Sequence, residues 1–427
     1  MKLTLSQAAE VRLGRQRSPR FESGDHMVPY LRSANVLNGE LDLTDVKSMN
    51  FAPNEQEIFR LAEGDVLVTE GSGSRETVGM SAVWQGDLPG TVCFQNTLIR
   101  LRPRAGVTDG RYLAWWARHA HASGEIAAVA SGANILHIGS DGLKRLLINV
   151  PSLDEQRRIA DFLDHHVARI DQIIAARREQ LASIEEQFAS VRRVAVLGEN
   201  GPTRPTDLPW APRIADSWSV RRLSHLAAMG TGHTPSRNEP SFWVNCDIPW
   251  LTTSDVHRFR RDEIDVVTQT TLSISELGLA NSAAVIHPVR TVALSRTASA
   301  GFAILMGCDM ATSQDFVTWT CGPDLIPEYL LHSLRVMRPY LLGYLATGST
   351  HKTIYFPDLM DLRVPLPPLD DQRTAVEQVR RAGLICGEAT AALSGQIGLL
   401  SEYKESLITA AVTGDLDVTT AGSGIPR

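Results

Sequence analysis

The sequence predicts an α+β protein in which two globular α/β domains are separated by two long helices. We expect the helices to form an antiparallel coiled coil within an internal pseudo-twofold repeat. Three observations predict this fold. No Pro or Gly interrupts residues 152–197, a similar stretch begins again at Pro367, and the regions that precede the two stretches also resemble each other.

The first helical stretch begins at Pro151 and ends at Gly198. Acidic residues in its first turn complement the helix dipole, and Gly is a common residue just after a helix end. Apolar side chains recur mostly three and four positions apart, with His166 and Arg177 at the two polar places of this frame. The apolar members are Ile159, Leu163, Ile170, Ile173, Leu181, Ile184, Phe188, Val191 and Ala195. Such a helix is roughly 65 Å long, too long for one ordinary domain, so it must pack on another long helix.

The partner helix is predicted in the same chain. The alignment that places Pro151 on Pro367 also places Leu153, Asp154, Gln156 and Arg157 on Leu369, Asp370, Gln372 and Arg373. The endings also match in this alignment, as AVLGE at 195–199 and AVTGD at 411–415. Because start, spacing and stop share one offset, a duplication is favoured over two unrelated amphipathic helices.

The globular regions repeat with a drifting offset. VPYLRSANV (28–36) matches IPWLTTSDV (248–256), Gln95-Asn96 matches Gln314-Asp315, and ASGANILHIGSDGL (130–143) matches ATGSTHKTIYFPDL (346–359). The proline-rich residues 198–213 predict a linker. The predicted segments are a first globular region (1–150), a helix (151–199), a second globular region (200–366), a second helix (367–416) and a flexible tail (417–427).

Composition narrows the class of protein. The 427 residues include five scattered cysteines without a CxxC pair, which predicts neither a zinc site nor a disulfide framework. We find no signal peptide and no apolar run that spans a bilayer, and so expect a cytoplasmic protein. The net charge of −6 argues against nucleic-acid binding, but the first globular region carries sixteen basic and sixteen acidic residues. The negative charge therefore lies mainly on the helices.

No enzyme motif is present. GSGSRE (71–76) lacks a following Lys-Ser/Thr, and GSTHKT (348–353) lacks the Gly before Lys that a phosphate-binding loop needs. The chain has no methyltransferase motif of its own. We therefore predict no catalytic residue and no metal site.

Several segments resemble one known family. GTGHTPSRNEPSFWVNCDIPWLTTSDV (230–256) and the helix openings VPSLDEQRRI and VPLPPLDDQR are similar to those of the DNA specificity (S) subunit of type I restriction-modification systems. The first region departs from the pattern because it lacks the GTPS signature. The resemblance implies that each globular region is a target-recognition domain for one half of a bipartite, asymmetric DNA site.

The same resemblance implies the partners of a phage-defence complex. Two methyltransferase (M) subunits would dock on the helices, and two restriction (R) subunits can join them. S-adenosylmethionine, ATP and Mg would bind these partners and not this chain, which would be a non-catalytic subunit of the methylating complex.

Candidate DNA-binding residues are polar or basic side chains in turn-rich stretches, because such groups form hydrogen bonds with base edges and phosphates. They are Ser72, Ser74, Arg75, Gln95, Arg237, Ser254, His257, Arg258, Arg296, Ser299 and Lys352. The alternative is a coiled-coil scaffold with two ligand- or protein-binding lobes and no DNA role. The near-neutral globular regions favour that alternative, and salt-dependent DNA binding distinguishes the two.

Overall fold

The computed structural model describes residues 1–72, 74, 77–132, 136–348 and 352–419. Contacts divide the chain into two compact units. The first unit consists of Met1–Arg177 and Gly395–Arg427, and the second of Arg178–Ser394. Each unit therefore combines one globular region with a part of both long helices.

The first unit contains an antiparallel four-stranded sheet and a three-stranded sheet. In spatial order the larger sheet consists of Ala9–Leu13, Leu98–Pro103, Val66–Thr69 and Ser81–Val83. The smaller sheet consists of Lys47–Asn50, Met27–Leu31 and Cys93–Phe94. Shorter strands are Lys2–Thr4 with Leu147–Asn149, and Ala130–Ser131, Leu136–Ile138 and Gly71–Ser72. The short α-helices are Leu5–Ala8, Pro53–Phe59, Gly110–Ala122, Glu125–Ala128 and Ser140–Lys144, and short 3-10 helices cover Pro19–Phe21 and Ser33–Asn35.

The second unit repeats this arrangement with extra strands. Its larger sheet consists of Ala227–Thr231, Phe316–Cys321, Val292–Ser295, Ala303–Met306 and Val266–Val267. The other sheet consists of Leu272–Ile274, Ile248–Leu251, Met310–Thr312 and Ile286–His287. Ser219–Arg222 pairs with Arg363–Leu366. The α-helices are Glu276–Ala280, Pro327–Tyr340 and Phe356–Met360, and a π-helical turn covers Leu341–Leu345.

Strand register confirms the duplication and corrects one predicted match. Ala9 lies opposite Pro103, and Ala227 lies opposite Cys321, so both members of the pair are displaced along the chain by the same interval. The backbone N–H of Gln95 donates to Leu31, and that of Ser313 donates to Leu251. Gln95 therefore corresponds to Ser313, so its predicted match with Gln314 is wrong by one position.

The two long helices are Leu153–Leu197 and Leu369–Thr413, as predicted, and we call them the first and second long helix. In the first unit they run antiparallel, with Lys404 Nζ 2.7 Å from an Asp171 carboxylate oxygen. The predicted frame is only partly right. Val167 and Ile174 are buried, whereas Ile173 is 38% exposed. A straight helix of 3.6 residues per turn drifts from a heptad frame, and this one also packs against the globular region.

A buried glutamine ties each globular region to its helix. The Gln156 amide accepts a hydrogen bond from the backbone N–H of Asp109 and donates to the carbonyls of Val107 and Pro151. Gln372 makes the same three contacts in the second unit, to Ile326, Asp324 and Pro367. Because both side chains are fully buried, the glutamine of the repeated helix opening serves the fold.

A buried tyrosine in each unit connects the strand before one long helix with the end of the other long helix. The Tyr112 hydroxyl donates to the Asn149 carbonyl at 2.6 Å and lies 3.3 Å from that of Val412. Tyr329 lies in the same way against Pro365 and Val196. Burial raises the pKa of both phenols, so they remain neutral donors. The end of the second long helix thus completes the first unit, and the end of the first long helix completes the second.

The predicted linker is instead a hairpin. Thr203–Leu208 pairs with Ala211–Ala215, and Leu208 and Ile214 are buried in a small core beneath them. In a two-stranded hairpin both strands are edges, so a proline can point its nitrogen away from the ladder. Proline content therefore misled the prediction.

The second long helix also corrects the expectation about apolar runs. By length and composition alone it is apolar enough to cross a membrane, because Ala, Gly, Leu and Ile dominate its middle. None of its most apolar 18-residue window is fully buried. Its ends, in contrast, bury Gln372 and Ile408 against protein.

Candidate nucleic-acid interface

The ends of several strands meet at one edge of the first unit. The strands ending at Leu31 and Phe94 are parallel neighbours, and those ending at Leu13 and Thr69 reach the start of Leu98–Pro103. The turns that follow, residues 14–17, 32–35, 70–72 and 95–97, therefore gather at this edge. We call them the first loop edge. Thr97 links two of them, because it accepts hydrogen bonds from the backbone N–H groups of Ser33 and Glu70.

The second unit has the same construction. Residues 232–237, 252–258, 296–299 and 313–315 follow the equivalent strands and form the second loop edge. The Arg296 N–H donates to Asp315 at 2.7 Å, as that of Glu70 does to Thr97. Thr234 Oγ1 donates to Gln314 Oε1 at 2.7 Å. One backbone frame thus carries two different sets of side chains.

A glycine starts the first turn of each loop edge because the backbones approach closely there. A Cβ on Gly14 would lie 2.1 Å from the Gln95 oxygen, and one on Gly232 would lie 1.7 Å from the Thr312 oxygen. Any side chain would force the turn away from the neighbouring strand. These glycines therefore fix where the following loop residues lie.

A concavity of about 590 Å³ opens at the first loop edge. Its lining includes Gln95 together with the cations Arg17, Arg32 and Lys47. Arg32 and Lys47 share Asp45 at 2.6 and 2.7 Å, and the hydrogen bond from Lys47 lowers the pKa of Asp45. Surface ion pairs of this kind are weak, so these cations remain available to phosphate groups.

Sequence reasoning missed the three cations. Arg32 begins the turn that matches residues 252–258, which supplied the candidates Ser254, His257 and Arg258, so the repeat itself could have indicated it. The sequence gives no local signal for Lys47, because this residue lies at the edge only through the pairing of its strand with Tyr30.

The structure brings four predicted residues together at the second loop edge: Arg237, Ser254, His257 and Arg258, all exposed. The Arg237 guanidinium lies 5.3 Å from the centre of the Trp243 ring. The Trp243 indole donates to the Ser236 carbonyl at 3.0 Å, which fixes the ring beneath the arginine. His257 Nδ1 lies 2.7 Å from the Ser254 carbonyl oxygen. Exposed donors on a braced loop are suited to contacts in a DNA groove.

Three other predicted residues lie near this edge with polar groups already engaged. The half-buried Arg296 guanidinium donates to the Ile354 carbonyl and lies 4.6 Å from the centre of the Phe356 ring. Lys352 Nζ donates to the Leu342 carbonyl at 2.9 Å. The Ser299 carbonyl accepts a hydrogen bond from the Ser295 hydroxyl. Their contacts shape the loops.

The remaining predicted residues belong to the first unit. The Ser72 backbone pairs with Leu136, and the Ser74 hydroxyl lies 2.9 Å from that of Thr77. Arg75 lies outside the described residues. Gln95 lines the concavity of the first loop edge.

No group of three or more His, Cys, Asp or Glu side chains that could hold a metal ion occurs in the part of the chain that the structure describes. Binding of S-adenosylmethionine, ATP and Mg by partner subunits stays a prediction.

Comparison with known proteins gives two matches to one family model. The model, described as type I restriction modification DNA specificity domain, matches residues 6–183 and 215–382. The EcoKI specificity subunit of Escherichia coli K12, a type I restriction enzyme subunit, is 25% identical over 408 residues, 92% of this chain and 83% of that protein. The StySPI specificity subunit of Salmonella potsdam is 32% identical over 177 residues, 41% of this chain and 37% of that protein.

Solved structures show the same fold. A chain from a structure described as the basis of complex assembly and conformational transition of the type I R-M system has a TM-score of 0.75 at 18% identity, covering 97% of this chain and 98% of that one. The HsdS subunit from Thermoanaerobacter tengcongensis has a TM-score of 0.51 at 17% identity, covering 97% of both chains. Since the family model matches both halves, including both loop edges, this chain belongs to the type I restriction-modification DNA specificity family.

Proposed function

We propose that this chain is the non-catalytic specificity subunit of a type I restriction-modification complex and that each loop edge recognises one half of a bipartite DNA site. The observation that carries the proposal is the pair of loop edges with equivalent backbone hydrogen bonds and different side chains. Equivalent frames place both sets against DNA in a similar way, and different side chains select different bases. The site is therefore asymmetric.

The exposed groups suit these roles. At the first loop edge Arg17, Arg32 and Lys47 contact phosphates, while the Gln95 amide, which can donate and accept, contacts a base edge. At the second, the exposed Arg237 guanidinium offers the bidentate geometry that guanine accepts. Two methyltransferase subunits dock on the long helices, and restriction subunits join them. S-adenosylmethionine, ATP and Mg bind these partners.

A paired set of variants tests the assignment of half-sites. We expect Gln95→Ala to weaken recognition of one half-site and Arg237→Ala the other, each by about 1–3 kcal/mol, or roughly 5- to 150-fold. Binding is measured with the assembled methyltransferase complex on DNA in which one half-site at a time is scrambled. The controls are Arg104→Ala and Arg222→Ala, exposed arginines next to strand ends away from the loop edges.

Salt dependence separates this function from the scaffold alternative. We expect specific binding to fall steeply as salt rises, because neutralised phosphates release counterions. A complex that shows no salt-dependent DNA binding would favour the scaffold. Loss of both half-sites in each single variant would contradict one loop edge per half-site.

A further inference from the structure

A cleft of about 1010 Å³ lies in the second unit between residues 261–265 and both long helices. The helices contribute its apolar floor through Phe188, Val379 and Leu384, and small residues leave the space between them open. A Cβ on Gly387 would meet no atom within 4 Å. The volume matches that of typical binding clefts.

The internal repeat supplies a comparison within one molecule. The alignment of Pro151 with Pro367 places Val167, Ile170 and Asp171 of the first unit where the cleft has Gly383, Cys386 and Gly387. Val167 and Ile170 are buried, and Asp171 pairs with Lys404, the counterpart of Phe188. In the first unit, larger side chains thus occupy the space that forms the cleft in the second unit.

A second difference concerns the globular side of the cleft. Tyr112 and Tyr329 are equivalent, so Trp115 corresponds to His332. The Trp115 indole is satisfied, because it donates to Asp164 at 2.8 Å. His332, only 3% exposed, lines the cleft, and its Nδ1 has no hydrogen-bond partner among the described residues.

Arg192 presents a similar unused group. It is 7% exposed and lines the cleft, and its NH1 donates to Asp262 at 2.8 Å. Its Nε finds no acceptor within the described chain. A buried polar group without a partner costs about 1–3 kcal/mol, so an occupant that supplies an acceptor recovers this energy.

The charges around the cleft define its occupant. Arg192 and Arg380 in the lining are already paired with Asp262 and Glu377. Of the exposed rim groups that form no ion pair within the described chain, Glu185 and Glu263 are acidic and Arg261 is basic, so the rim favours a basic group by one charge. The apolar floor, together with the exposed Leu384 and Ile385, favours an apolar side chain. A protein segment provides both, and its backbone carbonyls supply the acceptor for Arg192.

We propose that this cleft is a docking site for an apolar, basic segment of the methyltransferase subunit, and that only the second unit has it. The inference rests on the proposed function, since it takes the partner from there. The two methyltransferase copies then bind unequally. One copy inserts a segment between the globular region and the helices, and the other binds a surface whose corresponding space is filled.

Two substitutions test the docking site by filling it as the first unit does. Gly383→Val copies Val167, and its Cβ meets only the end of the Phe188 side chain, at 3.3 Å. Gly387→Leu adds bulk in open space. Both replace a helical glycine, so the helix is expected to be at least as stable. The control is Gly398→Leu, an equally open glycine on the same helix outside the cleft lining.

Native mass spectrometry of the full chain with methyltransferase counts the bound copies. We expect the double variant to bind one methyltransferase copy at least about tenfold more weakly, a loss of roughly 1.4 kcal/mol in binding free energy. The affinity for the other copy should stay unchanged. In the unaltered complex, alkylation of Cys386 in the cleft slows on assembly, whereas that of Cys246, outside it, stays constant.

Each outcome decides between the two proposals. Unchanged Cys386 alkylation, or equal binding of both copies by the double variant, overturns the docking site. An equal effect of Gly398→Leu also overturns it, because bulk anywhere on the helix would then suffice. If the unaltered chain binds no methyltransferase at all, the proposed function fails instead.

Discussion

Gln156 and Gln372 show how one side chain can connect three segments. Each amide is fully buried and forms hydrogen bonds with a helix start, with a strand-to-helix turn and with the segment that precedes the long helix. Their equivalence makes them natural controls for each other.

We expect Gln156→Ala and Gln372→Ala to lower the free energy of unfolding by similar amounts, about 1–3 kcal/mol each. The reason is that each truncation leaves a partly buried backbone N–H and two carbonyls without a partner. Denaturant unfolding of both variants, with the exposed Gln172→Ala as control, measures the effect. A loss in only one variant would mean that the two contacts are not equivalent.

His332 predicts a pH dependence of stability. Burial lowers its pKa below the ordinary value of 6.5, although Asp265 opposes this shift; Asp262, Arg192 and Arg335 also act on it. The folded protein therefore holds the ring neutral, while the unfolded chain takes up a proton once the pH falls below about 6.5. The stabilisation is fully present above that pH and is lost as the pH falls towards the lowered pKa.

Replacing this ring should remove its share of the pH dependence. We expect His332→Gln to flatten the fall of unfolding free energy below about pH 6.5, relative to the unaltered chain. His257→Gln, at an exposed histidine, is the control. Identical pH profiles for His332→Gln and the unaltered chain would contradict this role.

At the scale of elements, the long helices were predictable and their buried face was not. A stretch of 45 residues without a breaker determines a helix locally. Each long helix packs against two neighbours, the other long helix and a globular region. Apolar residues occur where it contacts either of them, so the apolar pattern does not follow a single heptad frame. The heptad frame therefore selected Ile173, whereas packing buries Ile174.

Neighbouring isoleucines provide a matched test of this face. We expect Ile174→Ala to cost about 2–5 kcal/mol, because it leaves a cavity in the core of the first unit. Ile173→Ala, one position away with the same change in volume and propensity, should cost less than about 1 kcal/mol. Denaturant unfolding measures both. Equal costs would support the heptad frame instead.

The loop edges were predictable only in part. Turn-rich stretches indicated Gln95, Arg237 and His257, because local composition marks a loop. Lys47 and Arg17 reach the first loop edge through pairing between strands distant in sequence, which no local pattern records. The hairpin at Thr203–Ala215 was missed for a related reason, since its prolines are tolerated only because no third strand joins it.

At the scale of the molecule, the first unit takes part of its core from residues more than 200 positions later in the chain. Leu407, Ile408, Ala411 and Val412 of the second long helix belong to the core of the first unit. A fragment ending near Gly201 lacks them. A second copy of the fragment carries the equivalent positions Val191, Arg192, Ala195 and Val196.

We therefore expect the fragment of residues 1–201 to form a dimer with two identical recognition regions, which with methyltransferase reads a palindrome. Arg192 would then occupy the fully buried place of Ile408, where a charge is costly. Arg192→Ile should tighten the dimer by at least about tenfold, measured by sedimentation equilibrium. Arg193→Ile, at the exposed neighbouring position, is the control. A monomeric fragment, or a weaker dimer with Arg192→Ile, would contradict the internal equivalence.

Because part of its core comes from the second long helix, the first unit also depends on the order of synthesis on the ribosome. The first unit is complete only when Gly395 and the positions after it have emerged, long after Arg177. At about 5–20 residues per second, this interval lasts roughly ten to forty seconds. During that time the apolar face of the nascent first unit is uncovered and open to chaperones. A premature stop codon shortly after Ser394 would therefore damage the part of the protein that was made first.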